Sequence, residues 1–393
     1  TSDDELETVM NKRAQFWQQQ INMNTGPMIQ VVWFELGPAR AVRLLIVIHH
    51  LLMDIASWRI LLDGLVYIIN QADSEKVVEL PSKTTSYRQW ATRLNDYAKT
   101  ITVSDNIQTG IQENTELIFP VDYPQGTNTE ADAVLHTIEL SEQITRALVQ
   151  QTGAAYRTST QELLLIAIVQ GIASQTDLQN LPVEIEAHNR DNELFEDFDF
   201  TRTIGRFTTS HPVFFNLNST LESANLIKVI KEQFRQQAVD GFDYTVWRWL
   251  GDGLKQQSSI EVPILFNYLG HLDLGTDAHS SFRQCDLPSW ITRDSTNQRA
   301  HELVINASIR HDRLQLIWVY SKARYSASTI EGLGNTVLRT LESLITHCLE
   351  SNSAGLTPSD FPLTNLTQDN LDSLPYSVRN IEEIYPLGPM QEG

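Results

Sequence analysis

Two short segments of the sequence place acid–base side chains close together. Residues 49–54 read HHLLMD and hold two imidazoles and a carboxylate. Residues 186–191 read EAHNRD and hold two carboxylates, an imidazole and a guanidinium. Imidazole changes its protonation near neutral pH, and a nearby carboxylate can fix its tautomer and orientation. General acid–base catalysis is therefore one chemistry that these residue types could perform.

Two other interpretations of residues 49–54 stay open at this point. His and Asp are metal ligands, but no third ligand follows at regular spacing and no cysteine pair accompanies them. Alternatively, one His lies in the core with a satisfied hydrogen bond, while Asp54 caps the helix that follows. The segment alone does not decide among catalysis, metal binding and a purely structural role.

The surrounding pattern predicts elements that would position these side chains. Apolar residues recur at helical spacing after Ser2, which predicts an opening amphipathic helix. Residues 28–36 and 43–48 predict two strands, the second of them buried. The HHLLMD segment follows that second strand directly and precedes a helical pattern from Ser57. Polar side chains just beyond a buried strand are where α/β folds often hold ligands.

The rest of the chain alternates predicted strands and helices, which indicates an α/β fold in both halves. Strands are predicted at 133–140, 183–187, 262–268, 301–309 and 314–320, and helices at 87–98, 159–174, 226–239 and 329–349. A polar stretch at 100–129 predicts the boundary between lobes. We therefore predict an N-terminal lobe at 1–128, a C-terminal lobe at 129–356, and an exit segment and linker at 357–393. That the first lobe lacks its first segment is implied only by the family resemblance given below.

Composition limits the classes of function. The chain has 393 residues, of which 41% are hydrophobic, enough for two lobes with substantial cores. Its formal charge of −20 repels nucleic acid and anionic membrane surfaces, so we expect neither as a partner. Cys285 and Cys348 are the two cysteines, and no apolar run of about 18 residues occurs. The first residues given carry neither the basic region nor the apolar region typical of a secretory signal. These features predict a cytoplasmic protein.

The motifs, taken in order, resemble the condensation-domain superfamily of nonribosomal peptide synthetases, and its epimerization branch in particular. HHxxxD at 49–54 is followed by SWRIL at 57–61, and residues 186–191 are similar to the EGHGRE motif of that branch. Residues 195–209 resemble its continuation, 266–270 read FNYLG, and 301–307 with 318–321 resemble the last core motif. Residues 381–393 resemble the opening of a following condensation domain.

The resemblance implies a fold and a reaction. The fold would be a two-lobed, V-shaped α/β architecture like that of chloramphenicol acetyltransferase, with the active site at the lobe interface. The reaction would be epimerization at the Cα of an L-aminoacyl or peptidyl thioester, giving the D-configured thioester by deprotonation and reprotonation. By the same resemblance His50 and Glu186 form the acid–base pair, and Tyr268 is the active-site tyrosine, although a core aromatic at a strand end is an equal alternative.

Five further residues are predicted to support the site. We expect Asp54 and Arg190 to form a structural salt bridge across the lobe interface, because buried opposite charges usually pair. His49 is predicted to be structural. Ser57 and Asn267 are candidates for hydrogen bonds to a pantetheine arm or to the thioester.

The resemblance also implies partners. The domain would hold no metal and no cofactor of its own, because the 4′-phosphopantetheine arm belongs to a peptidyl carrier protein (thiolation) domain upstream. A condensation domain would follow downstream.

Two other functions compete with epimerization. A condensation domain joins two carrier-bound substrates into an amide, and the HHxxxD motif alone does not distinguish it. A catalytically silent scaffold of the same fold is the third class, because several positions depart from the family pattern. Ile55, Ala187 and Asn189 stand where the family has glycine and would narrow the substrate channel. Arg206 replaces a usual Trp, and Asp243 and Thr245 interrupt the Gly-Tyr-Gly pattern expected around Tyr244.

Overall fold

A computed structural model of the chain describes residues 3–72, 78–101, 110, 118–190, 193–216, 222–238, 241–251, 261–272, 293–350 and 353–388. The chain divides into two compact units, each assembled from separate stretches. Unit 1 comprises Thr1–Asp96, His188–Thr208 and Asp273–Asn297, and unit 2 comprises Tyr97–Ala187, Thr209–Leu272 and Gln298–Gly393. The division differs from the continuous lobes predicted at 1–128 and 129–356, because the chain leaves unit 2 after Ala187 and returns to it at Thr209.

Unit 1 combines helices with a two-stranded antiparallel sheet. Its elements are helix α1 (Asp3–Gln19), strands β1 (Ile29–Phe34) and β2 (Arg43–Ile48), and helices α2 (Ile55–Ala72) and α3 (Tyr87–Tyr97), the last residue of which falls in unit 2. The bounds of β2 are those predicted, but the prediction that it is buried is wrong. Leu45 is its one buried residue and the other five are half-buried, because β2 pairs with β1 alone in the part of the chain that the structure describes.

The stretch His188–Thr208 packs on α3 through a cluster of aromatic rings. Trp90 contacts Phe195 and Phe207 with ring centroids 6.0 and 5.0 Å apart, and the Tyr87 hydroxyl donates to the carbonyl of Arg206 at 2.9 Å. Gly205 approaches Tyr87 so closely that a Cβ there would lie 2.1 Å from the ring. The cluster holds residues 203–207 against α3 within unit 1, where backbone groups of Gly205 and Phe207 contact Asp54 and Ser57.

Unit 2 contains a mixed sheet of six strands in the order β3-β8-β7-β6-β4-β5. β6 runs parallel to β4 and to β7, whereas β8 is antiparallel to β7 and to β3. The strands are β3 (Ala133–Glu139), β4 (Asn180–His188), β5 (Thr208–Asn216), β6 (Ile264–His271), β7 (Leu303–Arg310) and β8 (Arg313–Ser321). The main helices are α4 (Glu142–Gln150), α5 (Gly153–Tyr156), α6 (Thr160–Ala173), α7 (Ser223–Ala238), α8 (Gly241–Leu250) and α9 (Ala327–Leu349).

One face of this sheet forms the main apolar core. Val183 and Ile185 on β4 lie beside Ile264 and Phe266 on β6, and all four are fully buried. Helix α6 is buried over most of its length and approaches α9 at Gly171, where a Cβ would lie 2.5 Å from Val337. Because side chains alternate along a strand, the residues between these apolar ones project from the opposite face.

The described part of the exit segment packs against the rest of unit 2. The ammonium of Lys231 contacts both oxygens of Asp360 at 2.7 and 2.8 Å, and Arg235 joins Asp360 to Glu162. The side chains of Lys231 and Asp360 are 0 and 1% exposed. Leu356, Phe361 and Leu371, the last on the short helix α10 (Gln368–Asp372), form a separate apolar cluster. Residues 353–388 are therefore an integral layer of the unit.

No helix in the described part of the chain combines the length and the apolar character needed to cross a membrane.

Candidate active site

The turn after β2 fixes the tautomers of both adjacent histidines. His50 Nδ1 lies 2.8 Å from the carbonyl oxygen of Met53, which can only accept, so Nδ1 carries the hydrogen. In the neutral ring the Nε2 atom then holds the lone pair. His49 is the reverse case, because its Nδ1 accepts from the backbone N–H of Leu51 at 3.1 Å. His50 is exposed and can meet a substrate, whereas the contacts of His49 support its predicted structural role.

Asp54 caps the start of α2 and is almost fully buried. Its Oδ1 accepts from the backbone N–H and from the hydroxyl of Ser57, both at 2.8 Å, and its Oδ2 accepts from the backbone N–H of Phe207 at 3.1 Å. Burial raises the pKa of Asp54, but these hydrogen bonds and the charge of Arg190 outweigh burial and hold the pKa below its usual value. The carboxylate is therefore ionised at neutral pH.

Arg190 supplies the countercharge for Asp54, as the sequence predicts. One guanidinium nitrogen lies 3.0 and 3.3 Å from the two carboxylate oxygens, and the other donates to the carbonyls of Phe200 and Thr203. The guanidinium stacks over the ring of Phe207, 4.2 Å from its centroid. We expected this pair to join two lobes. In the structure Asp54 and Arg190 both belong to unit 1, so the pair lies within one compact unit.

Ser57 links this ion pair to the backbone of Gly205. Its hydroxyl oxygen accepts from the N–H of Gly205 at 3.1 Å and from Arg190 at 3.0 Å, and it also lies 2.9 Å from the Gly205 carbonyl. The side chain is fully buried. These contacts favour a supporting role for Ser57 over contact with a pantetheine arm. They also show what the sequence did not reveal, namely that backbone groups of residues 200–207 complete the site.

Glu186 lies in unit 2, near the end of β4. It is half-buried and shares its face of the sheet with Glu184, opposite the buried Ile185. On the neighbouring β6, Asn267 follows Phe266 as Glu186 follows Ile185, so the two side chains lie at the same level of adjacent parallel strands. The Oδ1 of Asn267 is buried and has no hydrogen-bond partner in the part of the chain described. An amide oxygen in this state can accept a hydrogen bond from a ligand.

Tyr268 lies on the other face of β6. By alternation it falls on the side of Ile264 and Phe266, and its ring packs against the main apolar core. Its hydroxyl hydrogen-bonds with Thr160, and burial raises its pKa. These contacts support the alternative that Tyr268 is a core aromatic, and its catalytic role stays a prediction.

Sequence analysis assigned no role to Glu184 and His301, two residues of unit 2 that contact each other. Glu184 is hydrogen-bonded to Ser210 on β5 and to His301, whose Nε2 lies 2.5 Å from Oε2 of Glu184. The position of Glu184, two residues before Glu186 in a predicted strand, was the available signal, because side chains at i and i+2 share a face.

No group of three or more His, Cys, Asp or Glu side chains with the geometry to hold a metal ion occurs among the described residues.

Comparison with known proteins identifies the family. The model of the family described as Condensation domain matches residues 1–367. The chain therefore belongs to the condensation-domain family, and its α/β architecture is the one found in solved condensation and epimerization domains.

Two curated relatives are synthases that are much longer than this chain. The chain is 36% identical over 384 residues to one of the linear gramicidin synthase subunits of Brevibacillus parabrevis, covering 96% of this chain and 7% of that protein. It is 26% identical to gramicidin S synthase 1 of Brevibacillus brevis, covering 95% of this chain and 35% of that protein. The chain thus spans a small part of the curated relatives that it matches.

Two solved structures illustrate the likeness in fold. The epimerization domain from the third module of tyrocidine synthetase B has a TM-score of 0.75 and 26% identity, covering 87% of this chain and 77% of that one. The first condensation domain of the CDA synthetase has a TM-score of 0.54 and 13% identity, covering 86% of this chain and 72% of that one.

Proposed function

We propose that this chain is an epimerization domain of a nonribosomal peptide synthetase, which inverts the Cα of an L-aminoacyl or peptidyl thioester. The observation that carries the proposal is the greater likeness to an epimerization domain, with a TM-score of 0.75 and 26% identity, than to a condensation domain, with 0.54 and 13%. Glu186 in a motif similar to EGHGRE points the same way.

In the proposed reaction a base removes the Cα proton and an acid returns a proton to the opposite face. The electron pair of the broken C–H bond moves into the enolate of the thioester and returns to Cα on reprotonation, so no redox partner is needed. A thioester Cα–H is a weak acid, so the base must be held against it and the enolate oxygen must meet fixed donors. Imidazole and carboxylate suit the two proton transfers.

The site residues have distinct roles in this proposal. His50 offers Nε2 as one proton-transfer atom, because Nδ1 is committed to the Met53 carbonyl, and the Glu186 carboxylate is the other group. Asp54, Ser57 and Arg190 hold the turn that carries His50, since Asp54 caps α2 directly after that turn. Asn267 is a candidate hydrogen-bonding group for the bound arm or thioester.

The substrate would arrive on the 4′-phosphopantetheine arm of a peptidyl carrier protein domain upstream, so the domain itself needs no cofactor. A condensation domain would receive the product downstream, as the resemblance of residues 381–393 implies. Condensation-family domains act on substrates that such arms tether to carrier proteins, which supports the assignment of this partner.

One experiment separates the three candidate functions. The neighbouring carrier protein is loaded with an L-aminoacyl or peptidyl thioester in deuterium oxide, the domain is added, and Cα exchange and chirality are followed. Exchange with D-configured product supports epimerization. Amide formation with an acceptor-loaded carrier, without exchange, assigns condensation instead, and neither event in a folded domain assigns a silent scaffold.

A further inference from the structure

Glu184 stands beside the proposed catalytic carboxylate without being able to take its place. Glu184 and Glu186 share one face of β4, roughly 6.5 Å apart along the strand. Both oxygens of Glu184 are engaged, Oε1 by the hydroxyl of Ser210 and Oε2 by Nε2 of His301. A carboxylate with both oxygens occupied is a poor proton acceptor for a substrate, so any role of Glu184 must act through its neighbours.

The contacts of Glu184 tie separate parts of unit 2 together. Ser210 belongs to β5, and His301 lies two residues before β7. Strand β6 lies between β4 and β7, so the contact between Glu184 and His301 spans that strand. The side chains of His301 and Glu184 are 15 and 25% exposed, and charge interactions are stronger in such a setting than in open water. The network therefore restrains the end of β4, where Glu186 lies.

The charges around Glu184 favour its ionised form. Burial raises its pKa, but hydrogen bonds from His301 and Ser210 and the charges of His301 and Arg248 hold the pKa below the usual value. Two other titratable groups nearby are neutral at physiological pH. Burial lowers the pKa of His211 to about 4, and burial raises the pKa of Tyr244 on α8. The groups that offset the charge of Glu184 are thus the imidazole of His301, in direct contact, and the guanidinium of Arg248, which is hydrogen-bonded to Tyr244.

An uncompensated carboxylate at this distance would disfavour ionisation of Glu186, because like charges raise each other's pKa. We propose that Glu184 and His301 form a positioning pair for Glu186, which restrains the end of β4 and offsets the negative charge next to the catalytic carboxylate. The proposal deepens the proposed function and rests on it for the role of Glu186. It makes His301 a positioning residue with no contact to the reacting atoms.

The pair predicts opposite electrostatic effects for its two conservative variants. Glu184→Gln keeps the shape and removes a negative charge, so the acid limb of the Cα-exchange pH profile moves to lower pH, by about half to one unit. His301→Gln leaves the Glu184 charge without its imidazole, so the limb moves to higher pH by a similar amount. The double variant returns the limb close to that of the parent. A purely structural role would lower exchange at every pH and leave the limb in place.

A second measurement makes the test independent of activity. The Glu186 carboxyl signal is followed by ¹³C NMR titration of glutamate-labelled protein and is assigned as the signal that Glu186→Gln abolishes. Its midpoint should move down in Glu184→Gln and up in His301→Gln. Glu139→Gln is the matched control, because Glu139 is an exposed residue of β3, the edge strand farthest from β4 and β5, and it should leave the midpoint unchanged.

The outcomes separate this proposal from the proposed function. Opposite NMR shifts support the pair even when the parent domain shows no exchange, in which case the proposed function alone fails. A parent that exchanges normally, with unchanged midpoints in both variants and folded circular dichroism spectra, overturns the pair and leaves the proposed function standing.

Discussion

At the scale of single residues, the hydrogen bonds around His50 and Asp54 give the two side chains different roles. The carbonyl of Met53 fixes the His50 tautomer, whereas Asp54 is committed to capping α2 and to Arg190. Asp54 is thus ionised and fully engaged, and it is not available for proton transfer to a substrate. In the proposed reaction the proton-transfer role therefore belongs to the imidazole of His50, and the carboxylate of Asp54 holds the turn in place.

Removing either proposed proton-transfer group should abolish most of the Cα exchange. We expect Glu186→Gln and His50→Ala each to lower the exchange rate at least about a hundredfold, the effect of losing a general acid or base. The rate is measured on a carrier-bound L-thioester in deuterium oxide, with Glu139→Gln as the control that should exchange normally. Near-normal exchange in both active-site variants would remove the assignment of these residues.

Asp54→Asn should destabilise the protein in a pH-dependent way. The change leaves Arg190 without its buried countercharge, and breaking such a pair costs about 3 kcal/mol or more of unfolding free energy. Because the folded-state pKa of Asp54 is depressed, its contribution is present above the usual pKa of 3.8 and is lost as pH falls through the lower folded value. The difference in unfolding free energy between parent and variant, measured by urea unfolding, should therefore be largest at pH 7 and should decrease below about pH 4.

The matched control for this measurement is Asp63→Asn on the same helix. Asp63 is 67% exposed and lies 3.9 Å from Arg59, so its loss should cost less than about 1 kcal/mol. An equal loss for Asp54→Asn at pH 3 and pH 7 would show that helix capping, and not charge, accounts for the effect.

At the scale of elements, the sequence predicts the strongly patterned segments and misses those defined by contacts. The helix predicted at 159–174 is observed as α6 (Thr160–Ala173), because its apolar run begins at a capping box formed by Ser159 and Glu162. Strand β5 was not predicted as a strand, and it contains Pro212, a residue that argues against a central strand. Helix α8 was also missed, since it opens with Gly241 and is rich in aromatic residues of modest helix propensity.

The same distinction applies to the candidate site. The charges of Asp54 and Arg190 made their pairing predictable, because buried opposite charges seldom stay apart. Their backbone partners were not predictable, because the contact from Asp54 to Phe207 joins residues 153 positions apart and uses a main-chain N–H that every residue except proline possesses. Only the fold brings that group to the carboxylate.

The loop that contacts Ser57 should tolerate no side chain at Gly205. A Cβ at this position would lie 2.1 Å from the Tyr87 ring, so Gly205→Ala must displace either the ring or the loop. We expect a loss of about 1–3 kcal/mol in unfolding free energy, typical of overpacking. Gly332→Ala, on an open position of α9, is the control and should be neutral or slightly stabilising. In a protein that already carries Tyr87→Ala, Gly205→Ala should cost less unfolding free energy than it does in the parent. An equal cost in both backgrounds would contradict the steric cause.

At the scale of the whole molecule, the exit segment belongs to the folded structure. Two basic residues of α7, Lys231 and Arg235, form ion pairs with Asp360, and the next residue, Phe361, belongs to an apolar cluster with Leu356 and Leu371. The ammonium of Lys231 also donates to the carbonyl of Tyr156 at 2.7 Å. Burial lowers the pKa of Lys231, and the hydrogen bond and charge of Asp360 oppose that effect. The cation therefore depends on the exit segment for its main countercharge.

Asp360→Asn should loosen this layer. It leaves the fully buried Lys231 beside a neutral amide, and we expect a loss of about 3 kcal/mol or more in unfolding free energy. Limited proteolysis should then cleave within residues 357–388 at least several-fold faster than in the parent. Asp372→Asn is the control, because Asp372 pairs with Lys228 at a position that is 53% exposed, and it should change little. Unchanged proteolysis in a destabilised Asp360→Asn protein would show that the segment stays attached without the ion pair.

The packing of the exit segment bears on where such a domain can be cut for recombination into hybrid assembly lines. A fusion junction placed at 356 would graft foreign sequence directly onto the surface that Asp360 and Phe361 occupy, and it would leave the buried ammonium of Lys231 without its carboxylate partner. A junction moved past α10 would carry the native carboxylate along with its domain, so chimeras spliced there should be recovered in better yield than those spliced at 356.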